Sequence, residues 1–235
     1  MNYRRREFLA AAGAAGLWTV SATGAEKTES SAPASKTADE VSPGEDLMRE
    51  HGVLKRILLV YGEVIRRVDA QEAVPPKPLY DAADIIRTFV EDYHEKLEED
   101  HLFPRFRKAD VLVDLVDVLQ AQHQAGRKLT DTTLRLANGR ALRSADDRRT
   151  LVESLRAFIR MYSPHEARED TVLFPAFHEL VSQNEYDSLG EDFERLENKL
   201  FGQDGFEKNV ARVTTIEKAL DIYDLAQFTP RQHGP

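Results

Sequence analysis

The residue types that could do chemistry in this chain occur in two copies of one short pattern. The first copy runs from His94 to Pro104 and the second from His165 to Pro175, and each reads HE, two residues, E, and later LFP. A histidine and a glutamate four residues apart on a helix are separated by about 40° and one turn, so both can reach one point. Imidazole and carboxylate are common metal ligands. The repeat therefore predicts a metal site inside a helical protein.

Two further histidines, His51 and His123, lie on apolar helical stripes of their own. A single histidine on an apolar face is more often a hydrogen-bonded core residue than a ligand. Four in register, two of them followed by glutamate, favour a shared cation, because Glu98 and Glu169 have no lysine or arginine on their stripes and buried carboxylates need partners. The six candidate ligands are His51, His94, Glu98, His123, His165 and Glu169.

Ligand type narrows the choice of metal. Nitrogen and oxygen donors without thiolate suit iron, manganese or zinc. Four histidines with two bridging carboxylates could hold a pair of cations, as in carboxylate-bridged helical bundles. A structural zinc site would need only four ligands and would gain nothing from the duplication. We therefore expect two iron ions, with other divalent cations as alternatives.

Composition excludes several other kinds of protein. The chain has 235 residues, of which 41% are hydrophobic, which is enough for one domain with appendages. Its net charge of −9 and the absence of a basic stripe argue against nucleic acid as a partner. The chain contains no cysteine, which excludes disulfides, thiolate metal sites and cysteine nucleophiles. No catalytic triad or phosphate-binding glycine loop is present, so we assign no catalytic residue.

The first 25 residues are typical of an export signal. Arg4, Arg5 and Arg6 precede a short apolar run that ends in small residues. The pair Arg5-Arg6 followed by Glu7-Phe8-Leu9 resembles a twin-arginine signal, although an ordinary secretory signal or an uncleaved anchor is the alternative. We expect a periplasmic bacterial protein with no stable membrane insertion after cleavage. Residues 26–43 predict a disordered linker, since they offer little apolar surface to bury.

Helical periodicity continues through the rest of the chain. It predicts helices over about residues 44–69, 79–102 and 111–137, and a fourth from about Ser144 that contains Pro164, where we expect a kink. Pro104 is expected to end the second helix, with a corner at residues 105–110. The fold expected over residues 44–182 is an all-α, up-down-up-down four-helix bundle. Residues 183–228 predict a helical extension with segments near 185–201 and 206–224, and residues 229–235 a tail.

Four motifs in order resemble the bacterial hemerythrin-like, or HHE cation-binding, family. They are Glu50-His51, the first HExxE copy with its LFP, Gln122-His123, and the second HExxE copy with its LFP. The resemblance covers about residues 46–182. It implies a non-haem di-iron centre held by His51, His94, Glu98, His123, His165 and Glu169, with Glu98 and Glu169 as candidate bridges and Glu95 as a further ligand in some members.

The chain departs from the oxygen-carrying members of the family. They have a second histidine four residues after the one in the third helix, where this chain has Arg127, and an aspartate five residues after the last histidine, where it has Glu169 at four. Glu95, a water or His101 could complete the coordination. The repeat aligns His101 with Val172, so His101 is interpreted as a neighbour rather than a ligand.

Three functions remain open. The first, which we favour, is binding of dioxygen or a related small ligand such as peroxide, for sensing, storage or delivery. The second is a di-iron peroxidase or ferroxidase, and the third a metal that only clamps the bundle. Tyrosines near the centre could fill the core or donate a hydrogen bond to a bound ligand; they are Tyr61, Tyr93 and Tyr162.

Overall fold

A computed structural model describes residues 41–230. All regular secondary structure in this range is helical, and the described residues contain no strand. From Ser42 onward they group into one compact unit. The all-helical fold expected from the sequence is therefore confirmed.

The first helix, α1, runs over Pro43–Asp69. Ser42 is its N-cap: the Ser42 hydroxyl accepts from the Glu45 backbone N–H, while the Glu45 carboxylate accepts from the Ser42 backbone N–H. This reciprocal capping box satisfies N–H groups that have no partner within the helix. Pro43 fits at the first helical position because it has no N–H to lose. The start of α1 is thus fixed by Ser42, close to the expected boundary.

The second helical run continues well beyond its expected end. It consists of α2 (Pro76–Ile85), a π-helical segment π1 (Ile86–His94), α3 (Glu95–Leu97), a second π-helical segment π2 (Glu98–Leu102) and α4 (Phe103–Ala109). The run begins at Pro76, whereas the sequence predicted a helix start near residue 79, after Pro78. Prolines are tolerated here because they lie in the first turn of a helix. The run is the only one within residues 41–230 with two π-helical segments, and both contain candidate ligands.

Pro104 does not end this run, which corrects the expected corner at residues 105–110. Phe103 donates its N–H to the carbonyl of Glu98, five residues back, and Pro104 follows directly as the second residue of α4. A proline is tolerated there because it sits at the start of the new α-helical segment, after the last wide-turn bond. The chain turns instead at Asp110 and Leu112, whose φ angles of 57° and 50° lie in the left-handed region.

The next elements are α5 (Val113–Leu136), a short 3₁₀ turn (Ala141–Arg143), α6 (Ala145–Arg168), a π-helical segment π3 (Glu169–Leu173) and α7 (Phe174–Leu180). Ser144 caps α6 by accepting from the Asp147 N–H. Pro164 lies inside α6 without ending it. The LFP motif behaves as in the first copy, since Phe174 donates its N–H to the Glu169 carbonyl before Pro175.

Two further helices pack on this assembly: α8 (Gln183–Phe201) and α9 (Gly205–Ala219), followed by a 3₁₀ turn (Leu225–Phe228). Helix α9 contacts both α1 and α2, and it is fixed by ion pairs of Arg56 with Glu217 at 2.5 Å and of Arg212 with Asp84 at 2.6 Å. Helix α8 contacts α1, where Tyr186 accepts the Gly44 N–H. The C-terminal helices thus cover the outer side of the first two helical runs.

Four long helical runs enclose a shared apolar core. The first run is α1, the second is α2 to α4 with π1 and π2, the third is α5, and the fourth is α6 and α7 with π3. Helix α6 packs against α1 and α5, and π1 of the second run contacts the same two helices. Aromatic side chains fill much of the interior and are almost fully buried; they include Phe89, Phe103, Phe106, Phe158, Phe174 and Phe177. Within residues 41–230, no helix is both long and apolar enough to cross a membrane.

Gly126 in α5 lies directly against the side chain of Tyr162 in α6. A Cβ atom at this position would overlap the hydroxyl of Tyr162, which passes across the backbone of α5. Glycine in the middle of a helix is otherwise unfavourable relative to alanine. Residue 126 is therefore glycine for a steric reason, because a side chain there would collide with the phenol of Tyr162.

Replacement of Gly126 by alanine tests this reading. We expect Gly126→Ala to lower the free energy of unfolding by about 1–3 kcal/mol, because the added methyl group displaces Tyr162 from a packed interior. Gly62→Ala in α1 is the matched control, since nothing lies within 4 Å of its Cβ position, and it should stabilise by about 0.5–1 kcal/mol. Urea unfolding measures both; two shifts of the same sign would contradict the explanation.

Candidate metal centre

The structure brings all six histidine and glutamate candidates into one buried centre. They form two groups that could each hold a metal ion, and every member is buried. One group is His51, His94 and Glu98; the other is His123, His165 and Glu169. Each helical run contributes one of the four histidines, and the second and fourth runs add the glutamates of the repeated motif.

The carboxylate of Glu98 lies between the two pairs of histidines. Its Oε1 is 3.7 Å from Nε2 of His94 in one group, and its Oε2 is 3.4 Å from Nε2 of His123 in the other. A carboxylate that presents one oxygen to each of two groups has the geometry of a bridge between two cations.

The carboxylate of Glu169 repeats this arrangement from the opposite side. Its Oε1 is 3.1 Å from Nε2 of His165, and its Oε2 is 3.4 Å from Nε2 of His51. The Nε2 atoms of His51 and His94 are 3.0 Å apart. Both glutamates therefore span the two histidine pairs and connect the two groups.

Hydrogen bonding indicates that these donors fit a metal. Both oxygens of Glu98, both oxygens of Glu169 and Nε2 of His123 are buried without a hydrogen-bond partner. A buried carboxylate without partners is strongly unfavourable, whereas coordination to cations satisfies every one of these atoms. The donor set of imidazole nitrogen and carboxylate oxygen suits iron, manganese or zinc.

Each histidine directs Nε2 inward because its Nδ1 is held from outside. Nδ1 of His51 lies 2.6 Å from Asp170 and that of His94 lies 2.7 Å from Glu50. Metal-bound histidines commonly donate their second ring N–H to such a partner, which fixes the tautomer and the ring orientation. The other two contacts are His123 Nδ1 to Glu99 at 3.1 Å and His165 Nδ1 to Gln122 at 2.8 Å.

Sequence reasoning did not assign a role to these four outer partners. The signal was adjacency: Glu50 and Gln122 each precede a candidate histidine, and Glu99 and Asp170 each follow a candidate glutamate. Neighbouring residues on a helix point about 100° apart. When one points to the centre, the next therefore points toward an adjacent helix, where it meets the ring of another ligand.

Protons compensate the buried charge when no cation is present. Burial disfavours the charged form of His51, but the hydrogen bond to Asp170 and the nearby charge of Glu169 outweigh it and raise its pKa to about 10. Burial likewise opposes charge on His123, but the nearby Glu95 and Glu98 raise its pKa well above the usual value. Burial and the charge of Glu169 raise the pKa of Glu98 to about 8.

Glu95 lies beside the centre rather than within either group of three. Its Oε1 accepts the Tyr162 hydroxyl at 2.6 Å, and its Oε2 is 2.8 Å from Nη2 of Arg127. Arg127 also reaches Glu99 at 2.8 Å. Glu95, Glu99 and His123 form a third group on the Nδ1 side of the ring. A guanidinium thus occupies the place where oxygen carriers have a histidine, and it neutralises two carboxylates there.

The remaining candidates serve other contacts. The ring of His101 packs on Phe193 of α8, with centroids 5.4 Å apart, so it faces the C-terminal helices. Tyr61 is buried edge-on against Phe158, and Tyr93 lies between Phe89 and Phe201. Burial and the Glu50 charge raise the pKa of Tyr93. Among the three tyrosines, Tyr162 alone has a hydroxyl bonded to a candidate ligand, Glu95.

Comparison with known proteins gives the class of the protein. The sequence profile of the hemerythrin HHE cation binding domain matches residues 42–177 and, in a second match, residues 114–222. Uncharacterized proteins of Mycobacterium bovis and of two Mycobacterium tuberculosis strains are each 46% identical over 231 residues, covering 97% of this chain and 91% of theirs. No solved structure matches this chain significantly.

The chain therefore belongs to the hemerythrin HHE cation-binding family. The profile match covers the four long helical runs that carry the buried histidines and glutamates. The family is described as cation-binding, which agrees with the two groups of buried histidines and glutamates at the centre.

Cation binding should depend on pH in a defined direction. At pH 7 the raised pKa values of His51 and Glu98 mean that both groups hold protons in the cation-free protein. A cation must displace these protons, so apparent affinity should rise as the pH increases from about 6 to about 8. Anaerobic calorimetry with Fe²⁺ in two buffers of different ionisation enthalpy measures both affinity and protons released.

The exposed His178 provides a control for this measurement, because it belongs to none of the groups that could hold a metal ion. His178→Ala should leave both the pH dependence and the proton release unchanged. An affinity that stays constant over this pH range, with no protons released, would contradict the assignment of protons to the empty centre.

Proposed function

We propose that this protein is a hemerythrin-like di-iron protein that binds dioxygen or a related small ligand, for sensing, storage or delivery. The observation that carries the proposal is the pair of fully buried glutamates, each with one oxygen directed to each histidine pair and with no hydrogen-bond partner on any oxygen. In this proposal His51, His94, His123 and His165 are terminal ligands, Glu98 and Glu169 are bridges, and Glu95 is an additional candidate.

The proposal extends to the architecture around the centre. We propose that residues 44–182 form an up-down-up-down four-helix bundle and that residues 183–228 are a separate extension on its outside. The packing of α6 against α1 and α5, and of π1 against the same two helices, supports this arrangement. Four helices that each direct a ligand inward can exclude water from the centre, which strengthens interactions between the donors and a cation.

The donor count supports binding of a small ligand. Each proposed cation position has two imidazoles and oxygens from two shared carboxylates. Two histidines with a carboxylate and open positions are the ligand set of non-haem iron sites that react with oxygen. Arg127 is paired with Glu95 and Glu99, and a guanidinium is not a metal ligand, so Arg127 does not replace the nitrogen donor of the missing histidine. Bound iron would supply the reversible redox chemistry, and the chain's own residues hold and shield it.

A second candidate is a di-iron peroxidase or ferroxidase. The observation that favours it is the carboxylate content of the centre and its surroundings, where Glu98 and Glu169 are backed by Glu50, Glu99 and Asp170. Negative charge near iron favours the ferric state by electrostatics. An enzyme that oxidises iron or consumes peroxide benefits from this preference, whereas a reversible carrier does not.

Rapid mixing of the reduced, iron-loaded protein with dioxygen distinguishes these functions. We expect about two iron ions per chain and an absorption band that persists after mixing, because the buried centre keeps water away from the bound ligand. Rapid oxidation with turnover of added peroxide would instead support the enzyme. Loaded protein that does not react would leave only a structural clamp.

Two histidine variants make the experiment specific. His51→Ala removes a buried donor of one group and should abolish the persistent band, because the pair of cations is then incomplete. His178→Ala is the control, since it removes an exposed histidine outside both groups. If His51→Ala keeps both the iron content and the band, the proposed ligand set is wrong.

We further propose that the chain is exported to the periplasm through the twin-arginine route. The Arg5-Arg6 pair, with Glu7-Phe8-Leu9 and the apolar run after it, supports this proposal. These residues lie outside the described part of the structure. A route that carries folded proteins would suit a chain that acquires its cations before export.

Substitution of the two arginines tests the export proposal. The double variant Arg5→Lys with Arg6→Lys should abolish export while charge is preserved, because the signal is recognised as an arginine pair. Arg4→Lys is the matched control and should be exported normally. Cell fractionation followed by immunoblotting measures the result; equal export of both variants would indicate an ordinary secretory signal or an anchor.

A further inference from the structure

The metal centre is built from two corresponding halves. His51 in α1 corresponds to His123 in α5, and the HExxE copy that contains His94 and Glu98 corresponds to the copy that contains His165 and Glu169. The outer contacts correspond as well. The residue before the first histidine of each half bonds the histidine of the HExxE motif in the same half, so Glu50 bonds His94 and Gln122 bonds His165.

The correspondence fails in the chemical type of these two partners, a carboxyl group in one half and an amide in the other. Nδ1 of His94 faces the carboxylate of Glu50 at 2.7 Å, whereas Nδ1 of His165 faces the neutral amide of Gln122 at 2.8 Å. Both contacts are of hydrogen-bond length, so the two rings are oriented equally well. A carboxylate partner makes an imidazole a stronger donor to a metal than an amide partner does.

The partners of the remaining two histidines also differ, because the carboxylate in one half is more fully neutralised than the carboxylate in the other. Nδ1 of His51 faces Asp170, and the nearest cation to that carboxylate is Lys55, at 3.5 Å and with about half of its side chain exposed. Nδ1 of His123 faces Glu99, which is paired with the guanidinium of Arg127 at 2.8 Å. Arg127 is also the less exposed of the two, so it neutralises Glu99 more completely than the solvated Lys55 neutralises Asp170.

We infer that the two cation positions are inequivalent and that the His51–His94 position fills first. This inference rests on the proposed function, because it assumes that the centre binds two cations. Both histidines at this position are backed by carboxylates without a close guanidinium. At the His123–His165 position one partner is an amide and the other a carboxylate already paired with Arg127. Glu50 and Gln122 are thus positioning residues that decide the order of loading.

Outer partners of this kind have a known size of effect. Their replacement typically changes metal affinity by about 10–100-fold. A preference of at least about tenfold for the His51–His94 position is therefore expected from Glu50 and Gln122 together. Stepwise affinities alone do not test it, since repulsion between two nearby cations weakens the second binding event whichever position fills first. The measurement must resolve the positions.

Anomalous diffraction at the iron edge resolves them. Crystals of the full chain, loaded anaerobically with one equivalent of Fe²⁺, should show a peak between His51 and His94 with at least about ten times the occupancy of a peak between His123 and His165. The double variant Glu50→Gln with Gln122→Glu exchanges the two partners and keeps the net charge. It should move the occupancy ratio at least tenfold toward His123 and His165.

The single variants are controls against misfolding of the double variant. Glu50→Gln and Gln122→Glu change few atoms, and each should move the ratio in the same direction as the exchange, with helical circular dichroism unchanged. Equal occupancy in the unaltered protein, or a ratio that none of these variants moves, would overturn the inference while two bound ions still support the proposed function. Absence of any iron peak at saturating Fe²⁺ would overturn both.

Discussion

The central constraint on the structure is a pair of buried glutamates whose oxygens have no hydrogen-bond donor among the described residues. Glu98 and Glu169 are fully buried, and none of their four oxygens has a hydrogen-bond partner. Uncompensated buried charge of this kind is among the most destabilising features a fold can contain. Without cations the centre relies on protons, held by His51, His123 and Glu98 with raised pKa values. A cation bound here would have to displace these protons.

The helices are distorted where they serve the centre. Glu98 begins π2 and Glu169 begins π3, and in each case the carbonyl of the glutamate accepts from the phenylalanine five residues later. Wide turns of this type are frequent at functional sites because they change the direction of side chains within a continuous helix. The proline of each LFP motif follows at the start of the next α-helical segment. The motif therefore marks the return from the π-helical to the α-helical hydrogen-bond pattern.

The centre is also enclosed by an outer layer of polar partners that differ between its two halves. Each of the four histidine rings is oriented by a residue of a different helical segment; these residues are Asp170, Glu50, Glu99 and Gln122. Tyr162 reaches Glu95 only because residue 126 is glycine. Arg127 takes the place of a histidine and pairs with Glu95 and Glu99. With arginine at this position, two carboxylates gain a cationic partner and the chain has one nitrogen donor fewer than the oxygen carriers.

Much of the fold and of the centre could be predicted from the sequence, because helical periodicity and the His-to-Glu spacing are local properties of the chain. They indicated the six donors that the structure brings together, and the resemblance of four ordered motifs indicated the family. The end of the second helical run could not be predicted, since proline is a helix breaker except where the hydrogen-bond pattern changes, as it does before Pro104.

Only the tertiary structure decided how the donors are shared between the two halves. Distances between helices that are far apart in sequence decide whether a glutamate reaches both histidine pairs. They also decide which residue contacts Nδ1 of each imidazole. Glu50 and Gln122 occupy the same place in the sequence pattern, each directly before a histidine. Only the folded structure shows that the carboxyl group of Glu50 contacts His94 and that the amide of Gln122 contacts His165.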